Sequence, residues 1–199
     1  MRILVMGAAG KIGRAVVAEL GQRHDIVEAG RSHADVRIDF TDRASLSAGL
    51  ERVGRIDAIV STAGDLAFAP LQALTADTIE VGLRGKLMGQ VQLALHAVPF
   101  LADGGSITLI SGVLADEPIA QGSVATMVNA GIEGFVRAAA IELPRGIRIN
   151  AVSPGMIEES AAESATLFRG FETVSSHRVA LAYSRSVEGH RTGQVYKVR

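Results

Sequence analysis

Cysteine and tryptophan are absent from this 199-residue chain, and aromatic residues make up only 4% of it. Without a thiol there can be no disulfide framework, thiolate metal site or cysteine nucleophile. The histidines His24, His33, His96, His177 and His190 are scattered at no ligand spacing, so no metal site is expected. Net charge is nearly absent as well: 20 basic and 21 acidic residues leave −1, with no basic cluster of the kind nucleic acid requires. No apolar run approaches the length of about 18 residues that argues for a membrane span. Met1-Arg2-Ile3-Leu4-Val5 leads straight into a strand pattern, without the features of a signal peptide. Two residue types are scarce in a way that matters below: tyrosine occurs only at 183 and 196, and lysine only at 11, 86 and 197. What is plentiful is apolar side chain, 48% of the residues, which excludes a disordered chain. The 22 glycines exceed the usual share of about 7%, a sign that backbone approaches something closely. A single cytoplasmic globular domain over residues 1–199, large enough to bury a core, is the expectation.

Strand and helix patterns alternate along the chain. Ile3–Met6 is a short apolar run ending at a glycine cluster, as a buried parallel strand should. Lys11–Gly21 places Ile12, Ala15, Val16 and Leu20 on one helical face. Asp25–Gly30 and Val36–Phe40 read as strands, separated by too few residues for a crossover helix. Asp42 precedes a helix from Arg43 to about Val53, and Ile56–Ser61 is the next strand. A long helix over Ala76–Leu101, a strand at Ser106–Ser111, a helix over Ser123–Leu143 and strands at Ile147–Val152 and Gln194–Val198 complete the series. Such alternation predicts an α/β fold of Rossmann type: a doubly wound, mainly parallel sheet with helices on both faces.

Gly7-Ala8-Ala9-Gly10-Lys11-Ile12-Gly13 follows the first strand and opens the first helix. There a glycine permits the tight turn and another lets backbone approach a pyrophosphate. The helix N-terminus adds free N–H groups and a positive dipole. Gly7, Ala9, Gly10, Lys11, Ile12 and Gly13 are therefore candidates to bind a dinucleotide. An acidic residue closing the second strand would hold a free ribose 2′-hydroxyl. Gly30, Arg31 and Ser32 stand there instead, and an arginine suits a 2′-phosphate. NADP(H) is favoured over NAD(H), with Asp35 the rival acidic residue, nearer the third strand than the end of the second.

With these residues in view, the whole chain resembles the short-chain dehydrogenase/reductase superfamily. Beside the glycine turn, Asp39-Phe40-Thr41-Asp42 resembles the segment whose first aspartate meets the adenine. Ser61-Thr62-Ala63-Gly64 resembles the strand end flanking the adenosine ribose. Arg148-Ile149-Asn150-Ala151-Val152-Ser153-Pro154-Gly155 is the most specific match. The resemblance implies that Pro154, Gly155, Met156 and Ile157 line the nicotinamide, and that Asp39, Phe40, Thr62, Ala63 and Gly64 face the adenosine half. The family's catalytic Asn, Ser, Tyr and Lys do not carry over. Without gaps, Ala125 takes the tyrosine position, Asn129 the lysine position, Lys86 the asparagine position and Gly112 the serine position, with Ser111 beside it. No Tyr-x-x-x-Lys pair exists in any register. Lysine and asparagine are thus exchanged across one site. Lys86, Asn129 and Ser111 become the candidate catalytic residues, with Lys86 holding the nicotinamide ribose or a substrate carbonyl.

Residues from about 156 to 190 correspond to the substrate-pocket cap, where Leu167, Phe168, Phe171, Val174, Val179, Leu181 and Tyr183 offer an apolar lining. Glu158-Glu159, close to the cofactor site, would disfavour an acidic substrate unless turned to water, and Asp116-Glu117 reads as a solvated loop. Glycine- and alanine-rich faces in the two long helices, around 76–101 and 123–143, together with the resemblance, imply a homodimer or homotetramer. Two functions follow. One is an NADP(H)-dependent oxidoreductase acting on a small carbonyl or alcohol with an atypical active site. The other is a catalytically inactive NADP(H)-binding sensor or scaffold. Neither involves nucleic acid or a membrane.

Overall fold

A computed structural model describes residues 1–32 and 34–199; His33 lies outside the described residues. Seven parallel strands form one sheet in the order β3-β2-β1-β4-β5-β6-β9. They are β1 (Arg2–Met6), β2 (Asp25–Gly30), β3 (Val36–Arg37), β4 (Ile56–Ser61), β5 (Leu101–Ile110), β6 (Arg148–Pro154) and β9 (Val195–Val198). The reversal of strand order beside β1 is the switch point at which doubly wound sheets open a crevice at the strands' carboxyl ends. Strand β1 shows why the apolar runs are continuous rather than alternating. Ile3 and Val5 enter one core, while Leu4 and Met6 enter another on the opposite face.

Helices α1 (Lys11–Leu20) and α7 (Ser176–Glu188) cover the Ile3/Val5 side. Helices α2 (Arg43–Val53), α3 (Ala76–Gly82), α4 (Gly89–Ala97) and α5 (Ser123–Glu142) cover the other. Helix α2 starts where expected because the Asp42 carboxylate accepts from the N–H groups of Ala44 and Ser45. Helix α5 is long and apolar enough, by length and composition, to cross a membrane. Here it is a core helix: Val124, Val128, Ile132 and Val136 pack on the sheet, and Asn129 and Glu133 are buried beside them.

Three expectations need correction. The long helix is not uniform: between α3 and α4 the chain winds as a π-helical turn over Leu83–Met88, and it ends at Ala97 before a 3-10 turn. Strand β3 is only two residues, yet it pairs parallel to β2 with no crossover helix, since so short a ladder needs only a loop. The cap is shorter than expected. It holds β7 (Met156–Ile157), a 3-10 turn over Glu158–Ser160, α6 (Ala161–Ser164) and β8 (Thr173–Val174), and residues 176–188 form α7 against α1. Val179 and Tyr183 are therefore core residues rather than pocket lining, and Leu181 faces solvent. Asp116 and Glu117 are exposed outside helix and strand, as a solvated loop should be, with Lys197 and Arg199 at 2.8 and 3.0 Å from Asp116 and the Lys197 hydrogen bond lowering its pKa.

Tyr183 is fully buried, burial pushes its phenol pKa up, and its hydroxyl donates to the Ser61 carbonyl at 2.6 Å. Tyr183→Phe leaves that buried carbonyl without its donor. It should lower unfolding stability by about 1–2 kcal/mol, read as a drop in Tm of roughly 2–8 °C.

Candidate active site

The glycine turn is shaped by contacts that no larger residue would permit. Gly7 has φ +85°, and a Cβ there would stand 2.9 Å from Ala63 Cβ and from Thr62 Oγ1. A Cβ on Gly13 would stand 2.1 Å from the Gly7 carbonyl oxygen, so Gly13 serves the packing of α1 onto the turn rather than a ligand directly. Thr62 fastens β4 to β1, its hydroxyl donating to the carbonyls of Met6 and Gly7 at 3.1 Å each. The result is an open backbone cradle at the start of α1, the geometry a pyrophosphate needs.

Two chambers meet along Thr62, Ala63 and Gly64. The outer one, about 730 Å³, is walled by Gly7, Ala9, Gly10, Gly30, Arg31, Ser32, Ile38, Phe40 and Asp65. The inner one, about 870 Å³, is walled by Ile12, Lys86, Ser111, Gly112, Asn129, Pro154, Gly155, Met156 and Ile157, with Leu66, Phe68, Val113, Leu114 and Phe168 toward its mouth. Most candidates from the sequence thus come together on one cleft. Two do not. Lys11 lines neither chamber: its ammonium reaches Ser160 Oγ at 3.2 Å and the Glu163 carboxylate at 2.9 Å. Asp39 also lies off the walls, its Oδ1 taken by the Thr41 hydroxyl and N–H, which lowers its pKa.

Arg31 sits at the outer rim, paired with Asp65 at 3.3 Å. Both side chains are solvent-exposed, so this pair is weak and a stronger anion would displace it. Register supplies a residue that sequence reasoning missed. Gly30 lies opposite Arg37 on β3, and Arg37 joins Gly30, Arg31, Ser32 and Ala34 around a small basic hollow. Its signal was present in the strand pattern, where Val36 points in and Arg37 out. Asp35, the rival for a ribose hydroxyl, instead accepts the Glu28 N–H at 3.0 Å.

The inner end is built around a buried ammonium. Lys86 projects from the π-helical turn, is 7% exposed, and donates to the Ser111 carbonyl at 2.9 Å and to Asn129 Oδ1 at 2.7 Å. Gln90, one turn on, brackets the adjacent residue: it receives the Ile110 N–H at 2.8 Å and donates to the Ile110 carbonyl at 2.9 Å. Glycines make room for this arrangement. A Cβ on Gly64 would stand 2.5 Å from Lys86 Cγ, and one on Gly112 would stand 3.0 Å from Asn129 Nδ2. Ser111 contributes differently from the expectation. Its hydroxyl donates to Glu133 Oε1 at 2.9 Å, away from the chamber, so its carbonyl rather than its hydroxyl meets Lys86. Glu158 and Glu159 stay outside the chamber, with Glu159 capping α7 through the Ser176 N–H at 3.1 Å.

Burial alone pushes the Lys86 ammonium down to about 8, from 10.5 in the open chain. Below about pH 8 both folded and unfolded chains carry the proton, and the cost of burying the charge is present in full. Between about 8 and 10.5 only the unfolded chain still holds it, so this residue's effect on stability becomes more favourable as pH rises. Lys86→Met should therefore gain most over the parent at neutral pH and lose that advantage across this window. Parallel denaturant titrations would check it, and a pH-independent difference would refute it.

A family model described as Enoyl-(Acyl carrier protein) reductase matches residues 3–195. Among solved structures, the protein lin1944 from Listeria innocua superposes with a TM-score of 0.99 at 43% identity, covering 100% of both chains. A small-chain dehydrogenase in complex with NADPH superposes with a TM-score of 0.88 at 26% identity, over 100% of this chain and 96% of that one. The Hydroxynaphthalene reductase-like protein Arp2 of Metarhizium brunneum is 27% identical over 180 residues, 78% of this chain and 67% of its own. With the seven-stranded parallel sheet, the glycine cradle and a family match over nearly the whole length, the chain belongs to the short-chain dehydrogenase/reductase superfamily.

Proposed function

We propose that this chain is an NADP(H)-dependent oxidoreductase acting on a small carbonyl or alcohol, with Lys86 and Asn129 in the place of the family's usual catalytic pair. The observation that carries this reading is the continuity of the cleft, from the basic hollow of Arg31, Ser32 and Arg37 through the glycine cradle to Lys86. Gly7, Ala9 and Gly10 would hold the pyrophosphate, and Pro154 to Ile157 would flank the nicotinamide. The cofactor, when bound, supplies hydride chemistry. Everything else falls to the chain's own side chains. Arg31 and Arg37 offer charge-assisted donors to a 2′-phosphate, which favours NADP(H) over NAD(H). The walls at Leu66, Val113, Leu114 and Phe168 give the inner chamber an apolar side that offers water no hydrogen bonds. Lys86 Nζ is the proton-bearing group there, and its lowered pKa of about 8 brings it nearer working pH than an ordinary lysine. A lysine lining the inner chamber supports the enzyme over the inactive sensor.

Titration with NADP(H) and NAD(H) tests the cofactor half. NADP(H) should bind about ten- to a hundredfold more tightly, and Arg31→Ala should erase most of that difference. Equal affinities unaffected by the substitution would refute it. NADPH consumption with a panel of small carbonyls tests the catalytic half. It should fall by at least about a hundredfold in Lys86→Ala. A chain that binds NADP(H) but turns over nothing would favour the sensor.

Assembly into a homodimer or homotetramer through the helices at 76–101 and 123–143 belongs to the same proposal, with only part of the small-residue face, Ala130 and Gly134, left open for it. Gly82, Gly89 and Gly131 are spent inside the monomer, against Val124, Phe40 and Leu87. The same helices leave Val81, Met88 and Leu95, and Met127 and Ile141, exposed to solvent. Light scattering should report a dimer or larger, and Leu95→Glu combined with Ile141→Glu should shift it to monomer; a monomeric parent chain would reject the assembly.

A further inference from the structure

The inner chamber holds a charge with no counter-charge. Among the described residues lining it, Lys86 is the single ionisable side chain. Its two hydrogen bonds go to neutral oxygens, Ser111 O and Asn129 Oδ1, and none of the salt bridges among the described residues includes it. The surrounding carboxylates are engaged elsewhere. Glu133 receives the Ser111 hydroxyl and lies 3.8 Å from Arg137. Glu163 is held by Lys11, Asp65 by Arg31, and Glu159 by Ser176. A buried cation without an anion is costly, and an imperfectly paired polar group in a binding cleft marks where a ligand completes the set.

Asn129 provides the second half. It is 2% exposed, its Oδ1 is committed to Lys86, and its Nδ2 makes no hydrogen bond among the described residues. That Nδ2 faces the space left by Gly112, where a Cβ would come within 3.0 Å. An ammonium and an amide donor thus border one chamber whose remaining walls, Leu66, Phe68, Val113, Leu114 and Phe168, are apolar. Neutral acceptors on a substrate would satisfy the amide but leave the charge uncompensated. A carboxylate satisfies both, since its two oxygens accept from both donors and carry the missing charge.

We propose that the inner chamber selects substrates bearing a carboxylate on a small apolar body, its oxygens taken by the Lys86 ammonium and Asn129 Nδ2. This rests on the reading of the chamber as the substrate end of the cleft, and it narrows the carbonyl or alcohol of that reading to an oxo or hydroxy acid.

Benzoate and its neutral isostere benzamide are the probes, titrated calorimetrically into the full chain at neutral pH, with and without saturating NADP+. Benzoate should bind at least about tenfold more tightly than benzamide. The preference should vanish in Lys86→Met, and equally in Asn129→Asp, where the new carboxylate occupies the ammonium from within. Circular dichroism establishes that each variant is folded, and if Lys86→Met is not, Asn129→Asp carries the test. Benzoate that fails to bind, benzamide that binds as tightly, or a preference that survives in a folded variant overturns the inference. The NADP+ arm separates the two claims. Dinucleotide binding without benzoate preference removes the carboxylate and leaves the oxidoreductase; benzoate preference without dinucleotide binding does the reverse.

Discussion

The buried ammonium of Lys86 is the constraint around which the inner end of the cleft is arranged. An ammonium taken out of water loses several kcal/mol of hydration, which only acceptors and a counter-charge can offset. Two elements bring acceptors to the side chain held between α3 and α4: the end of β5 brings the Ser111 carbonyl, and α5 brings Asn129. The π-helical turn over Leu83–Met88 belongs to the same solution, for such turns widen a helix locally and re-aim a side chain. Gln90 then locks the next helical turn to Ile110, so that the lysine's reach to Ser111 is fixed by backbone rather than by its flexible stem.

Around that point the glycines act as spacers. Gly64 leaves room for the lysine stem and Gly112 leaves room before the asparagine amide, while Gly7 and Gly13 let α1 close onto the turn that forms the outer cradle. The cleft is therefore defined as much by absent side chains as by present ones. Its two ends differ in electrostatic character. The outer rim carries exposed arginines whose ion pairs are weak and exchangeable, and the inner chamber carries one desolvated cation whose interactions are strengthened by the apolar walls.

The exchange of lysine and asparagine between two helices keeps the residue types of the family's site while moving the charge from α5 to the π-helical turn before α4. Ala125, which the resemblance sets at the tyrosine position, is fully buried; among the described residues no tyrosine lines the chamber, and Tyr183 is occupied in holding the end of β4. Ser111 shows the same displacement on a smaller scale. The residue type expected is present, but its hydroxyl serves Glu133, and only its carbonyl faces the site. Under the proposed function, proton transfer is organised around an amine rather than a phenol.

Composition and periodicity alone determined the fold class, the glycine cradle and the order of the sheet strands and of the helices before residue 152, because buried parallel strands must be apolar on both faces and turns before helices must be open. The scarcity of tyrosine and lysine was likewise legible, since a pair that does not occur in the chain cannot be assembled by folding. Where a side chain points was not legible. Arg37 joined Arg31 only through the register of β2 and β3, Lys11 turned to Glu163 instead of the cleft, and residues 176–188 became a core helix because they had the α1 face of the sheet to cover. These outcomes depend on contacts between residues distant in sequence, as does the environment of Lys86. Its lowered pKa and missing counter-ion exist only once three separated segments close around it.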